Sequence, residues 1–255
     1  MKYECLSCGY QTSVIAGTIF QDTHKPLTLW FRAIWYITSQ KNGTSALGLQ
    51  RILGLGSYRT AWTWLHKLRR AMVRQGRDKL NGIVEVDEAY IGSPESGGKR
   101  GRGAENKVIT AVAVEISDNK IGRIRIGVID DVSSNSLHEF IEQTVEKGST
   151  IVTDGWTGYN GLTDKGYRQE TSKHNNADKE TLLPYVHTVI SLLKRWLLGT
   201  LQGSFSNDHI SYYFDEFTFR FNRRKSKSRG MLFYRLLQNA VHLQPTTYAD
   251  IIKKQ

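Results

Sequence analysis

The chain changes its hydrophobic period once, near residue 82, and that switch limits the folds open to it. From there GIVEVDEAYIG (82–92), KVITAVAVEI (107–116) and GRIRIGVID (122–130) are β-branched runs parted by turn residues, and they read as three strands. SSNSLHEFIEQTVEKG (133–148) reads as a helix, STIVTDGW (149–156) as a fourth strand and YRQETSK (167–173) as a fifth. A long helix is expected from Pro184 to about Thr200. Three strands, helix, two strands, helix is the order of an RNase H-like α/β domain built on a mixed five-stranded sheet.

Before the switch the pattern is helical. PLTLWFRAIWYITSQ (26–40) places Leu27, Trp30, Phe31, Ile34 and Trp35 on one face, behind a Pro26 suited to a first turn. TSALGLQRIL (44–53), the turn GLG and SYRTAWTWLHKLRRAMVRQG (57–76) make a helix, a short glycine-containing turn and a second helix, with Thr44 and Ser57 as N-caps. As a helix-turn-helix, the second helix turns Tyr58, Arg59, Thr60 and Thr63 towards DNA and Trp62, Leu65 and Leu68 inward. An ordinary αα-hairpin is the plainer alternative. The expected division is a partial zinc ribbon at 1–22, a small helical DNA-binding region at 23–78, the α/β domain at 79–230 and a helical tail at 231–255.

Thirty-five Lys and Arg against 24 Asp and Glu leave a net charge of +11, a surplus that attracts polyanions through counterion release. The basic residues cluster at 66–79, 97–103, 193–196 and 219–230, which resembles a track more than a single solvated face. The expected DNA contacts are Tyr58, Arg59, Lys99, Arg100, Arg102, Arg195, Arg223 and Arg224. GGKRGRG (97–103) lacks the strand and helix of a phosphate-binding nucleotide loop and reads as a basic hairpin gripping a DNA backbone. The only cysteines, Cys5 and Cys8, are spaced CxxC and supply two of the four ligands that structural zinc takes. His24 is the nearest further candidate, so a zinc site and an incomplete knuckle without metal both stay open. No signal peptide and no span of membrane length is evident, and the expected location is cytoplasmic, at the bacterial nucleoid.

Asp87 and Asp154 each close a strand, in VEVDE and IVTDG. Sites of open α/β sheets lie outside the carboxyl ends of strands, and two carboxylates there can hold divalent metal for in-line phosphoryl transfer. In the last helix Val186, Val189, Ile190, Leu193 and Leu197 form the apolar stripe, and His187, Ser191 and Lys194 fall along its edge. His187 can thus sit near the acids while Lys194 reaches for phosphate, although a helical histidine is as often an ordinary surface or core residue. Glu85 shares a strand face with Asp87 and adds negative charge, whereas Glu88 faces the other way. Glu180 is the runner-up for a third ligand, Asp215 and Glu216 read as packing or capping residues, and Trp156 reads as core before it reads as a base-stacking platform.

The chain from about residue 5 resembles bacterial insertion-sequence transposases of the DDE superfamily. More narrowly it is similar to the ISXO2-like group, which has an amino-terminal zinc ribbon and an Asp-Asp-(Asn/Glu/His)-Lys signature. The stretches that carry the resemblance are GTIFQDTHKPLTLWFRAIWYIT, VEVDEAYIG, GKRGRGAENK, IVTDGWTGY, VHTVISLLKRWLLGT and YYFDEFTFRFNRR. The resemblance implies metal-dependent DNA cleavage and strand transfer, two divalent ions (Mg²⁺ or Mn²⁺) held by Asp87, Asp154 and His187, and a phosphate contact from Lys194. It implies double-stranded DNA as partner, at terminal inverted repeats and target, and a homodimer or larger assembly. Two departures stand out. The ribbon's first CxxC is absent, so either Met1 is an internal start or the ribbon is truncated, and a DNA-binding remnant without catalysis is one alternative. A related nuclease or resolvase is the other. Secondly, a histidine stands where many relatives carry Glu, which favours Mn²⁺ over Mg²⁺ and requires a neutral imidazole.

Overall fold

The computed structural model describes residues 2–74, 76–92, 107–172, 183–202 and 205–253. The chain forms two compact units, one of Met1–Gln75 with Ser226–Gln255 and one of Gly76–Lys225.

The first unit opens with an antiparallel hairpin, β1 (Lys2–Glu4) and β2 (Gln11–Ser13), with Cys5 and Cys8 at its head. Helices α1 (Leu27–Ser39), α2 (Ala46–Leu53) and α3 (Tyr58–Ala71) follow. Its core is aromatic. Trp30 of α1 stacks on Trp64 of α3 with centroids 3.7 Å apart, and Phe20 meets Trp30 edge-on at 5.2 Å. The buried stripe of α1 is Trp30, Ala33, Ile34 and Ile37, so the expected face is too wide: Phe31 and Trp35 are 36% and 50% exposed. Trp64, not Trp62, points inward from α3 together with Leu65 and Leu68; Trp62 lies half-buried against His66. Thr44 is not the cap of α2, because Ser45 accepts the Gly48 N–H at 3.1 Å; Ser57 holds the N-cap position of α3 without a side-chain cap bond. At the end of α2, Gly54 takes a left-handed conformation (φ 64°) and Leu55 N–H donates to Gln50 O, which turns the chain into α3.

The second unit holds strands β3 (Ile83–Ile91), β4 (Val108–Ser117) and β5 (Lys120–Val128), helix α4 (Ser134–Thr144), strands β6 (Thr150–Thr153) and β7 (Arg168–Thr171), and helices α5 (Pro184–Leu201) and α6 (Ile210–Asn222). The sheet order is β5-β4-β3-β6-β7. The first three strands form an antiparallel meander, whereas β6 and β7 run parallel to β3. This is the RNase H-like arrangement expected from the sequence. The β4–β5 turn is Asp118–Asn119, both left-handed (φ 51° and 54°), as a two-residue hairpin requires. Strand β3 is covered on both faces. Its even-numbered side, with Val84 and Val86, packs with Leu137, Phe140 and Ile141 of α4; its odd-numbered side, with Ala89 and Ile91, packs with α5 and α6.

After α6 the chain returns to the first unit through α7 (Arg229–His242) and α8 (Tyr248–Ile252). Leu232, Leu236 and Ala240 form the buried stripe of α7, and Asn239 donates to Ala71 O at 3.0 Å. The residues expected as a separate tail therefore complete the amino-terminal core. Among the described residues no helix is long and apolar enough to cross a membrane.

Glu115 of β4 and Arg123 of β5 pair at 2.6 Å, and Asn81 N–H adds a second donor to the carboxylate. Burial works to raise the Glu115 carboxyl, but these partners outweigh it and hold the group below the ordinary carboxylate range. A depressed folded value gives stability that is present at neutral pH and lost as the pH falls through that value. Arg123→Ala should thus cost about 1 kcal/mol in urea unfolding at pH 7, discounted for the exposure of the arginine. The cost should fade in acid below the ordinary carboxylate range; a cost unchanged there would mean that the pair contributes only through packing.

Candidate active site

The parallel register sets the geometry. Ile83 pairs with Thr150, Val84 with Ile151 and Glu85 with Val152, a constant offset of 67 residues (150 − 83). Carried two residues further, the same offset puts Asp154 level with Asp87 and on the same face (154 − 87 = 67). Adjacent strands lie about 4.8 Å apart, so the two carboxylates come side by side. Asp154 closes its strand as expected, but Asp87 does not: it is the fifth of the nine residues of β3, which runs on to Ile91 against β4 while β6 stops at Thr153. Asp154 follows the last residue of β6, is exposed, and accepts the Trp156 N–H at 2.9 Å. Gly155 turns the chain there with φ 87°; a Cβ would stand 2.8 Å from the Thr171 methyl. Trp156 is half-buried and its ring N–H donates to Val132 O at 3.0 Å, which anchors the loop as the core reading expected.

Helix α5 supplies the third side chain. Its buried residues are Val186, Val189, Ile190, Leu193 and Leu197, the stripe read from the sequence. His187 stands at the stripe's edge, with Nε2 3.1 Å from Asp87 Oδ2. The other Asp87 oxygen accepts the Glu88 N–H at 2.9 Å. Burial raises the Asp87 carboxyl; the Glu88 N–H and His187 oppose this, and the Asp154 charge adds to it. Lys194 and Arg195 are exposed two turns further along, about 10.5 Å from His187 along the axis.

Two further acids frame the pair. Glu85 is buried and accepts the Val186 N–H at 2.7 Å, so it faces the start of α5 instead of simply adding charge. Glu88, on the opposite face as expected, accepts the Tyr159 hydroxyl at 2.8 Å. Burial raises the Glu88 carboxyl, Tyr159 lowers it, and Asp87 and Asp154 raise it again. Neither partnership was visible in the sequence, because nothing local to Tyr159 or Val186 marks a contact with a strand 71 or 101 residues earlier.

The remaining expected residues are scattered. Tyr58 is exposed, and the Arg59 guanidinium lies 3.8 Å over the Tyr248 ring. Arg223 lies 4.2 Å over Phe219. Arg224 lies over Phe221 and donates to the carbonyls of Gly122 and Ile121, which staples the end of α6 to β5. Glu216 is fully buried against Arg220 at 2.7 Å, in keeping with a packing role. Lys99, Arg100, Arg102 and Glu180 lie outside the described residues. Cys5 and Cys8 are free and exposed. The Ser7 hydroxyl and the backbone N–H groups of Ser7 and Cys8 bring the Cys5 thiol down to about 6.

Among the described residues, no three His, Cys, Asp or Glu side chains stand close enough to enclose a metal ion as they are placed. The donor chemistry nevertheless fits one. Asp87 on β3 and Asp154 just past β6 feel each other's charge, His187 adds an imidazole, and the mutual repulsion of these acids is what a divalent cation would relieve.

Tyr159 is the neutral donor that steadies Glu88 beside the other acids. Tyr159→Phe should therefore cost about 1–3 kcal/mol in urea unfolding at neutral pH. Losing the donor raises the folded value of Glu88 further, and that penalty acts only while the carboxyl is ionised. The cost should shrink as the pH is lowered through the Glu88 titration, and a pH-independent cost would refute the pairing as its source.

A family model described as the ISXO2-like transposase domain matches residues 79–222, more than half of the chain. The chain is 25% identical over 237 residues to an uncharacterized protein in transposable element ISH50 of Halobacterium salinarum, which covers 86% of this chain and 78% of that protein. A likeness to a solved structure, the Mos1 transposase paired-end complex with left transposon end, has 10% identity and a TM-score of 0.25 over 86% of this chain and 78% of that one. The matched stretch runs from just before β3 to the end of α6 and contains Asp87, Asp154, His187 and Lys194, so the chain belongs to the family of ISXO2-like transposases.

Proposed function

We propose that this transposase cuts DNA at the ends of an insertion sequence and joins them to target DNA by metal-dependent phosphoryl transfer at Asp87, Asp154 and His187. The observation that carries this reading is that Asp154 directly follows β6, which runs parallel to β3 in a register that brings its charge to bear on Asp87, with His187 already at Asp87. Divalent ions bound there supply charge neutralisation at the transferring phosphoryl group and activation of the attacking oxygen. In cleavage, water forms the new P–O bond and the 3′-oxygen leaves with a proton. In joining, that 3′-hydroxyl attacks a target phosphorus and the target's own 3′-oxygen leaves.

The chain's residues orient these steps. Asp87 presents oxygen donors from the central strand and Asp154 from the residue after β6, and His187 presents nitrogen from the first turns of α5. Lys194 and Arg195, exposed further along the helix, contact the phosphates of the bound strand. The charge of +11 supports double-stranded DNA as partner, and joining two ends calls for at least two copies of the chain. The location of the relative in a transposable element supports the same role.

Cleavage of DNA bearing the flanking inverted repeats tests the reading. Wild type should nick at the repeat ends and yield strand-joined products, with Mn²⁺ outperforming Mg²⁺. Changes around a metal ligand already cost about 10–100-fold, so Asp87→Asn and Asp154→Asn should each lose at least about 100-fold. Cleavage without joining would favour a nuclease or resolvase; retardation of DNA with no cleavage would favour a DNA-binding remnant. Equal turnover with Mg²⁺ and Mn²⁺ would remove His187 from the ligand set.

Lys194→Ala makes a separate test. It should weaken DNA binding across all sequences and reduce the slope of log affinity against log salt by about 1, with Mn²⁺ affinity unchanged. An unaltered slope would exclude a phosphate contact.

A further inference from the structure

Glu85 is a charged residue only 4% exposed, two positions before Asp87 on the same face of β3. Its Oε2 accepts the Val186 N–H at 2.7 Å, and the Tyr185 N–H also points to this carboxylate. The reason lies in how α5 begins. Its N-cap position is Leu183, which has no side chain able to cap, and Pro184 brings no N–H of its own. The first orphan donors of the helix are therefore Tyr185 and Val186, and Glu85 accepts the second of them from the strand face beneath α5. His187 N–H already finds Leu183 O within the helix at 3.1 Å.

Strand and helix are thus joined at two successive points. Glu85 holds the backbone of Val186, and Asp87 meets the imidazole of His187, the next residue. Two strand residues on one face are about 6.6 Å apart, so the first contact fixes where along β3 the second can form. The buried stripe of α5 is aliphatic, and its burial is non-directional. A hydrogen bond at the helix start is directional, with narrow limits of distance and angle.

We infer that Glu85 is a positioning residue, a cap lent by the sheet to the first turn of α5 that sets His187 against Asp87. It rests on the proposed metal-dependent reading for its functional meaning, but the latch itself is a property of the metal-free protein. The role depends on reach and not on charge. Glu85→Gln keeps an acceptor oxygen at full length without the charge, whereas Glu85→Asp keeps the charge about 1.5 Å short.

The experiment compares both variants with wild type and Asp87→Asn in the full chain. Three quantities are read: the His187 imidazole resonances in metal-free protein, Mn²⁺ affinity by calorimetry, and the urea midpoint as a check of folding. Glu85→Gln should keep the wild-type His187 resonances and bind Mn²⁺ within about threefold of wild type. Glu85→Asp should shift those resonances while still folded and weaken Mn²⁺ binding by about 10–100-fold, as other orienting contacts around metals do. The inference is overturned if Glu85→Gln disturbs His187 or if folded Glu85→Asp leaves it in place; the first result would make Glu85 a charge donor or ligand. Should Glu85→Asp not fold, the Glu85→Gln result decides alone. Mn²⁺ binding that is absent in wild type, or unaffected by Asp87→Asn, would defeat the metal reading, and the His187 resonances would still judge the latch.

Discussion

Because β6 runs parallel to β3 with Ile83 opposite Thr150, the residue that follows β6, Asp154, comes out beside the middle of β3, where Asp87 stands. Everything proposed for the site depends on this pairing. A slip of one residue would send Asp154 to the α4 face, into the layer of Leu137, Ile141 and Tyr159. The register is held because it also buries Ile151 with Val84 on one face and sets Val152 beside Glu85 on the other. The same pattern that makes the core therefore makes the acid pair, and neither can be altered without the other.

The acids of this unit fall into two electrostatic classes. Glu115 and Glu216 have arginine partners at 2.6 and 2.7 Å, and they behave as ordinary structural carboxylates. For Asp87 and Glu88, burial and the charge of neighbouring acids push the carboxyls upwards, with His187 and Tyr159 among the opposing contacts. The divalent ion proposed for this site would relieve that repulsion.

Strand spans and the stripe of α5 were legible in the sequence because each follows from a local period, whereas the placing of Asp154 beside Asp87 comes from the register of strands 67 residues apart. Ile83–Ile91 and Val108–Ser117 lie within a residue of the expected runs. Periodicity gave less where a surface is only part-covered. Phe31 and Trp35 share the helical face of Trp30 yet remain exposed, because the centre of the α1 stripe lies at Ala33 and Ile37 instead. Thr44 gives way to its neighbour Ser45 as the cap because both are good caps, and only the start of the hydrogen-bond ladder separates them. The contacts of Glu85 and Glu88 lay beyond any local pattern, since their partners are brought near by the sheet and by the docking of α5. Charge clusters were the least informative signal. Arg224, counted with the DNA track, is spent on carbonyls of β5.

The return of α7 to the amino-terminal helices has a consequence for the order in which the molecule matures. Leu232, Leu236 and Ala240 are buried in a unit whose other members end at residue 75. Synthesis proceeds from the amino terminus, and the α/β unit between them contains all its own strands and helices. On the ribosome, the later-encoded unit can thus settle first, while the helices made earliest wait with an open apolar face until α7 emerges. A chain released too early would carry a finished sheet and an unfinished helical unit.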